Sequence, residues 1–434
     1  MADISAFRSI RYRDDIALDD VVAPPYDVLS AAQAAELRAR SPYNAVHVDL
    51  PVPPGAAADE EAYLRAAATF SAWRDEGVLL RDELPGIVVV DQTYTGPDGR
   101  ERTRRGFVAR LRLADLDERV VLPHERTHAG PKIDRLRLYR ATHADVSQIF
   151  LLFADDDGAA GAKLAAAAAE LPDAAWREAH DGDGNRHVAA ALAGPAAETV
   201  AEALRGRSVY IADGHHRYET ALAYRDERRA AGDFSADTLM VYLCSLSDPG
   251  LTVFPTHRLL RGIEPLSLDD LVQHLRPFFD VVGDPVTGLD ACRAALDTLP
   301  EQADPARVFG LYLPREETCI VVKTREPAAT ERLTADGFSP AAAGLSVTML
   351  HELLFREALG LEHDDAERFV DYAKNVPDAL AALQSGDYEL GAFLNATLVD
   401  QVRAIADQGE VMPQKSTYFY PKLLTGLVYD ALGD

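Results

Sequence analysis

The stretch SVYIADGHHRYETALAYRDERRAAG, residues 208–232, decides the fold class that we predict. Its first part, SVYIAD at 208–213, is rich in apolar and β-branched residues and predicts a short buried strand. Its second part, at 218–232, has apolar residues at helical spacing and ends at a glycine, so it predicts a helix. Gly214, between them, permits a tight turn. A strand that runs directly into a helix indicates a mixed α/β (α+β) protein.

The turn between this strand and this helix carries the strongest chemical signal of the chain. It reads Asp213-Gly214-His215-His216-Arg217. A helix N-terminus that follows a strand binds anions, because its free amides and its dipole both point at the ligand. Cationic groups in the first turn are unfavourable there until an anion offsets them. The pattern therefore predicts an anion site, and the alternative is a solvated turn with Asp213 as the helix N-cap.

A second polar segment is HERTH at 124–128. It matches the zinc-protease pattern HExxH, which needs both histidines one turn apart on a helix and a glutamate beside a zinc-bound water. A proline before the segment and a Gly-Pro pair after it leave barely two helical turns, so a zinc site of His124 and His128 is the weaker interpretation. The better one is Glu125 as a general base between histidines. A solvated polar loop is the third possibility.

A third segment, GEVMPQKSTYFYPK, covers residues 409–422. Lys415, Ser416 and Thr417 in succession can hold a phosphate through an ammonium and hydroxyl donors. No Walker glycine pattern accompanies them, so this segment is not a P-loop. We interpret the aromatic run that follows as core and not as a platform for stacking bases.

Composition excludes one class of partner. The chain has 434 residues and a formal net charge of 44 − 70 = −26. Nucleic-acid affinity comes mostly from Lys and Arg that neutralise phosphates, and we find no basic arm, so we expect no nucleic-acid partner. The N-terminus lacks the apolar core of a signal peptide, and no apolar run is long enough to span a bilayer. We therefore expect a soluble, cytoplasmic protein without a membrane partner.

The choice of cations singles out a few lysines. The chain has 6 lysines and 38 arginines, so it fills most cationic positions with arginine. A retained lysine marks a place where a compact ammonium suits and a planar guanidinium does not. Four of the six lie in dense polar segments and are candidates for an anion-binding cluster: Lys132, Lys374, Lys415 and Lys422.

Three segments carry weaker signals, and for each a purely structural role is an alternative to a functional one. Tyr26 and Asp27 follow two prolines and belong either to a rigid turn or to the site. Asp371 and Lys374 lie three residues apart and could be near the site. The histidine and arginine of PTHRLL at 255–260 are interpreted as a structural strand end.

The patterns suggest three regions. Residues 1–120 form an N-terminal α/β region that includes a predicted hairpin at 86–113. Residues 121–250 form a catalytic core with the HERTH loop and the DGHHR turn, and residues 251–434 form a C-terminal α/β region that contributes the KST segment. Alanine runs that look helical fill 156–206, and we expect this stretch to be peripheral or an insertion.

Three of these segments together resemble the motifs of the archaeal free serine kinases. The matching blocks are DGHHR at 213–217, PHE at 123–125 and GEV followed by KST at 409–417. Those enzymes have the ParB/sulfiredoxin-like fold and phosphorylate free L-serine with a nucleotide. The whole chain, including PPYDV and MPQKSTYFYPK, also resembles a widespread bacterial family known only as a domain of unknown function. The chain departs from the kinases in its greater length and in the long segments between the blocks.

The resemblance implies a ParB/sulfiredoxin-like catalytic core with additional α/β subdomains. It implies that Glu125 is the base toward the acceptor hydroxyl, and that Asp213 lies at the reacting centre near a magnesium ion. The residues that it assigns to phosphate binding are His215, His216, Arg217, Lys415, Ser416 and Thr417. The implied cofactors are Mg²⁺ and ADP or ATP as phosphate donor or acceptor, and the implied small-molecule partner is serine or O-phosphoserine.

We therefore expect a phosphotransferase of serine biosynthesis that either makes phosphoserine from a nucleotide or removes its phosphate. A protein catalyses phosphoryl transfer mainly by positioning the reactants and by placing cations around the developing charge. The three blocks provide groups for both tasks. One alternative is a nucleotide-binding regulator or nuclease of the ParB superfamily, against which the negative charge counts. The other is a zinc hydrolase using His124 and His128. Reaction direction and oligomeric state stay open.

Overall fold

The structure is a computed structural model, and it describes residues 2–57, 59–125, 127, 129–362 and 366–433. The chain divides into two compact units. Unit 1 consists of Met1–Pro123, Thr127–Leu251 and Pro421–Asp434, and unit 2 consists of His124–Arg126 and Thr252–Tyr420. The division into three sequence regions stays a prediction.

Helices and strands alternate along the chain, which confirms the predicted mixed α/β class. The strands are β1 Ile4–Ser5, β2 Ile10–Tyr12, β3 Leu79–Arg81, β4 Gly86–Thr95, β5 Glu101–Arg112, β6 Val121–Leu122, β7 Ala144–Asp145, β8 Ile149–Phe153, β9 Arg177–His180, β10 Arg186–Ala193, β11 Val209–Asp213, β12 Thr238–Ser245, β13 Thr252–Phe254, β14 His257–Leu260, β15 Phe279–Thr287, β16 Val308–Leu313, β17 Thr318–Thr324, β18 Val370–Ala373, β19 Leu390–Leu394, β20 Tyr418–Tyr420 and β21 Asp430–Ala431.

The α-helices are α1 Leu18–Val21, α2 Ala31–Arg40, α3 Val46–Asp49, α4 Glu60–Asp75, α5 Ala129–Thr142, α6 Ala159–Ala169, α7 Pro195–Ala203, α8 His215–Ala230, α9 Leu268–Leu275, α10 Leu289–Asp297, α11 Ala328–Ala335, α12 Pro340–Ala343, α13 Ser346–Met349, α14 Ala366–Phe369, α15 Val376–Leu383 and α16 Val399–Gln408. A π-helical segment, Leu350–Ala358, continues α13. Within the described ranges, no helix combines the length and the apolar character that a membrane crossing requires.

The large sheet of unit 1 has the strand order β6-β11-β8-β12-β5-β4-β10-β9, with β1 beside β5. The β6–β11 and β8–β12 pairs are parallel, and the other neighbours are antiparallel. The predicted hairpin at 86–113 is confirmed, because β4 and β5 pair in antiparallel register. Every residue of β8 is buried, as is typical of a central strand that is covered on both faces.

The expectation that residues 156–206 are peripheral is wrong. Strand β10 pairs with β4 along its whole length, from Arg186 opposite Thr93 to Ala193 opposite Gly86. Helices α6 and α7 also contribute apolar side chains to the main core of unit 1. The alanine run in β10 looked helical because alanine has the highest helix propensity, but pairing inside a sheet outweighs that local preference.

The strand and helix predicted around DGHHR are confirmed as β11 and α8. The N-cap of α8 is Gly214, with φ of 97°, and not Asp213 as the alternative interpretation held. A Cβ at this position would lie 3.1 Å from both Ile149 Cγ2 and Arg217 Nη2. The left-handed backbone and the close approach therefore both require glycine.

Unit 2 is built on a second sheet with the order β15-β17-β16-β19-β14-β18, whose neighbours are all antiparallel. Helices α10 and α15 cover it, and residues such as Leu296, Leu380 and Phe393 form the core between them. Strands β13 and β20 form a separate antiparallel pair in the same unit. The segment that contains Lys415, Ser416 and Thr417 leads directly into β20.

Candidate functional site

In unit 1, the carboxylate of Asp213 forms an ion pair with Lys422. The Lys422 Nζ lies 3.0 Å from Asp213 Oδ2, and the side chains are 17% and 22% exposed. Two fully buried side chains hold the backbone beside this lysine: Gln92 Nε2 donates to Lys422 O at 3.1 Å, and Arg104 Nη2 donates to Pro421 O at 2.6 Å. Hydrogen bonds from Gln92 and Arg104 thus fix the backbone that carries the Lys422 ammonium.

Arg217 is buried behind the same turn, where its Nη1 donates to Gln148 O at 2.8 Å. Burial lowers the pKa of its guanidinium, but the carboxylates around it, with Asp213 foremost and Asp27 next, more than offset this and raise the pKa. The electrostatic effects of Asp27 and of Tyr26 on Arg217 place the PPYD segment near the DGHHR turn. His215 is also buried, whereas His216 is half-buried.

The sequence analysis missed two residues next to this cluster, Asp49 and Arg135. The Arg135 guanidinium lies 3.9 Å from the centre of the Tyr26 ring and donates to Asp49 Oδ1 at 3.1 Å. Burial raises the pKa of Tyr26 to about 12, although the charge of Arg135 opposes this rise. Thr425 Oγ1 donates to Asp49 Oδ2 at 3.2 Å. No spacing in the sequence connects these residues, so no local pattern could have found them.

In unit 2, the carboxylate of Glu125 accepts a set of hydrogen bonds at a single oxygen. Its Oε1 accepts from Ser416 N at 3.1 Å, from Thr417 N at 3.2 Å and from Thr417 Oγ1 at 3.2 Å. The backbone is fixed as well, because Met412 N donates to His124 O at 2.7 Å. The Glu125 side chain remains 15% exposed. Donors of this kind stabilise an ionised carboxylate, which is the form that a general base requires.

The groups that the sequence assigned to a phosphate therefore have protein partners in the structure. The Ser416 hydroxyl donates to Pro413 O at 2.5 Å, and the Thr417 hydroxyl also lies 3.0 Å from His124 Nε2. The Lys415 side chain is exposed, and its backbone has φ of 55°. The phosphate role of these three residues stays a prediction, whereas the hydrogen bonds from Ser416 and Thr417 to Glu125 are present in the structure.

The described residues of the HERTH segment, which are 124, 125 and 127, do not lie in the helix that a zinc protease uses. Glu125 forms an isolated β-bridge with Met412, and the next helix, α5, begins only at Ala129. His124 is fully buried, and His128 lies outside the described residues. In the part of the chain that the structure describes, no three His, Cys, Asp or Glu side chains cluster in a way that could hold a metal ion.

A protein-family model described as "Protein of unknown function (DUF1015)" matches residues 4–347. This chain belongs to that family. The match includes the DGHHR turn and ends before the segment with Lys415. No curated protein matches the chain.

Solved structures that resemble the DUF1015 chain do so only distantly. A conserved hypothetical protein from Pyrococcus furiosus is 15% identical with a TM-score of 0.33, over 70% of this chain and 88% of that chain. A free serine kinase in complex with AMP is 14% identical with a TM-score of 0.36, over 74% and 90%. SbnI with a C-terminal truncation from Staphylococcus aureus is 9% identical with a TM-score of 0.34, over 72% and 84%. These TM-scores are too low to carry an argument about activity.

Three other candidate residues of the DUF1015 chain, Lys132, Asp371 and Lys374, contact partners within their own unit. In unit 1, Lys132 forms an ion pair with Glu219. In unit 2, Asp371 pairs with Arg261 at 3.3 Å, and Lys374 Nζ lies 5.7 Å from the centre of an aromatic ring of β20. The structure therefore does not gather the four retained lysines into one cluster within either unit.

Proposed function

We propose that this DUF1015 protein is a magnesium-dependent phosphotransferase that acts on free serine or O-phosphoserine, with ADP or ATP as the phosphate partner. The observation that carries the proposal is Glu125, a partly exposed carboxylate that two amides and a hydroxyl hold in one orientation. A base that must take a proton from one particular hydroxyl needs such a fixed orientation. The motif resemblance to the free serine kinases supports the choice of serine.

In the direction of phosphoserine synthesis, Glu125 accepts the proton of the serine hydroxyl. The serine oxygen then forms a bond to the transferred phosphorus, and the bond from phosphorus to the nucleotide oxygen breaks. In the reverse direction the same carboxyl group returns the proton to serine. The reaction thus needs one proton acceptor and no redox partner.

The DGHHR turn of unit 1 supplies the charged groups for the phosphate. Asp213 fits a Mg²⁺ ion, because this ion usually takes one or two protein carboxylates together with phosphate oxygens. The ion would neutralise charge on the phosphate. Lys422 adds a cation, and the imidazoles of the turn and the amides at the start of α8 add possible donors.

Phosphate exchange in purified protein tests this function. The protein is incubated with O-phosphoserine with and without ADP, and with serine and either ATP or ADP, each with Mg²⁺. We expect exchange in at least one combination, and Glu125→Gln and Asp213→Asn should each lower kcat by at least about 100-fold, the contribution typical of a general base or of charge stabilisation. Glu227→Gln, which removes an exposed ion pair on α8, is the matched control.

Two outcomes would overturn the proposal. One is the absence of exchange in every combination of substrates. The other is exchange that both the Glu125 and the Asp213 variant carry out as fast as wild type. Nucleotide binding without exchange would favour a regulator of the ParB type, and stoichiometric zinc in the purified protein would favour a hydrolase.

A further inference from the structure

We interpreted PTHRLL as a structural strand end, but its arginine, Arg258, has an unusual environment. Arg258 is 0% exposed, and in the described part of the chain Arg258 and Arg104 are the two largest side chains that are fully buried. Its Nη2 donates to Lys415 O at 3.1 Å, and its Nη1 donates to Thr256 O. Among the residues that the structure describes, its Nε has no hydrogen-bond partner. The guanidinium thus donates hydrogen bonds to carbonyl groups and not to a carboxylate, and it lies 5.6 Å from the centre of the Tyr372 ring.

Such an arrangement is costly for stability alone. A charge taken out of water loses its hydration, and carbonyl dipoles replace only part of it. Burial lowers the pKa of Arg258 to about 10, even though Tyr372 and Glu125 both act to raise it. An apolar side chain of similar volume would cost less at this position. Packing alone therefore does not explain why Arg258 is buried against the Lys415 carbonyl.

The Lys415 carbonyl belongs to a strained turn. Lys415 has a positive φ of 55°, a left-handed backbone that is unfavourable for an L-residue with a side chain. After this residue, the amides of Ser416 and Thr417 both point at Glu125 Oε1. Successive amides that converge on one anionic atom form a nest, and a left-handed residue is what creates it.

We propose that Arg258 is a positioning residue for the base Glu125, and that it acts by holding the Lys415 carbonyl so that the two following amides face the carboxylate. The chain of contacts runs from Arg258 Nη2 to Lys415 O, through the strained turn, to Glu125 Oε1. The inference rests on the proposed function, because it assigns to Arg258 a role in that same site.

The test combines activity with amide hydrogen exchange. The variants are Arg258→Met, Arg258→Lys and, as a matched control, Ser346→Ala, which removes another buried hydrogen bond to a carbonyl in unit 2. We expect Arg258→Met to lower kcat by up to about 100-fold, the loss that misplacement of a reacting group can produce, with KM for the nucleotide changed less than about threefold. The lysine variant should recover part of the loss.

Two further readouts distinguish positioning from general loss of structure. Amides in the peptide that contains Ser416 and Thr417 should exchange at least about tenfold faster in Arg258→Met than in the Ser346 control, because their hydrogen bonds to Glu125 open more often. The double variant Glu125→Gln/Arg258→Met should be no less active than Glu125→Gln alone, because both changes remove the same function. If the methionine variant does not fold, the lysine variant carries the same comparisons.

The outcomes separate the two proposals. If wild type exchanges phosphate but the losses from Glu125→Gln and Arg258→Met multiply, the role of Arg258 is wrong and the proposed function stands. Unchanged exchange of the amides in the Arg258 variants would also overturn the role. If wild type shows no phosphate exchange, the proposed function fails and the role of Arg258 fails with it.

Discussion

Asp213 in unit 1 and Glu125 in unit 2 are both carboxylates to which we assign a role in the proposed reaction, but the protein holds them in different ways. Asp213 has a side-chain ammonium as a partner, because Lys422 Nζ lies 3.0 Å from its Oδ2. Glu125 has two backbone amides and one hydroxyl, all at a single oxygen. An ammonium on a long side chain can give way to a metal ion or turn to a phosphate, whereas backbone amides cannot move without the chain. From this contrast we propose that Asp213 exchanges ligands and that Glu125 is held in one orientation.

Removal of the ammonium should have the largest effect. In Lys422→Met, Asp213 keeps its position and loses its cation, so a bound phosphate loses one of its charges. We expect kcat/KM to fall by about 100- to 1,000-fold, as for the loss of one electrostatic contact in a transition state. Steady-state exchange assays with each nucleotide measure this.

Lys422→Arg is the informative control for this change. It restores the charge but replaces a compact ammonium with a planar group, so we expect it to recover less than about one tenth of the lost activity. Full recovery with arginine would show that only charge matters at this position. Wild-type activity in Lys422→Met would show that Lys422 does not take part in the reaction.

Loss of one donor to Glu125 should have a smaller effect. Thr417→Val keeps the volume of the side chain and both amides, and removes only the hydroxyl that donates to Oε1. We expect kcat to fall about tenfold, which corresponds to about 1.5 kcal/mol for a hydrogen bond to a charged group. Thr318→Val, another buried threonine of unit 2, is the control. Equal activity in the two variants would contradict the fixed-orientation role of the hydroxyl.

The same comparison shows what the sequence could and could not predict. The DGHHR strand, turn and helix were predicted because every feature that defines them lies within one contiguous stretch. The hydrogen bonds at Glu125 could not be predicted, because Ser416 is 291 residues further along the chain. The strand predicted at PTHRLL is confirmed by β14, but the contact of Arg258 could not be predicted, because its partner Lys415 is 157 residues away.

A third carboxylate, Asp145 in unit 1, differs from both, because no ammonium or guanidinium among the described residues donates a hydrogen bond to it. Asp145 is 1% exposed, and its carboxylate accepts hydrogen bonds from Tyr139 Oη at 2.5 Å and from Met240 N at 2.8 Å. It also has an electrostatic interaction with Asp430. Burial raises its pKa to about 7, and Asp430 adds to the rise. Between about pH 4 and about pH 7 the folded chain therefore holds a proton at Asp145 that the unfolded chain has lost, so this group makes the free energy of unfolding fall as the pH rises.

Asp145→Asn should remove this dependence with the smallest effect on activity of the variants proposed. Asparagine cannot ionise, so we expect the difference in Tm between about pH 5 and about pH 8 to be smaller in the variant than in wild type. Asp233→Asn is the control of opposite sign. The amide and hydroxyl of Ser235 lower the pKa of Asp233 to about 2, so its contribution is lost only as the pH falls below about 4. Calorimetric unfolding at constant ionic strength measures both variants, and an unchanged Tm difference in Asp145→Asn would show that Asp145 stays ionised in the folded chain.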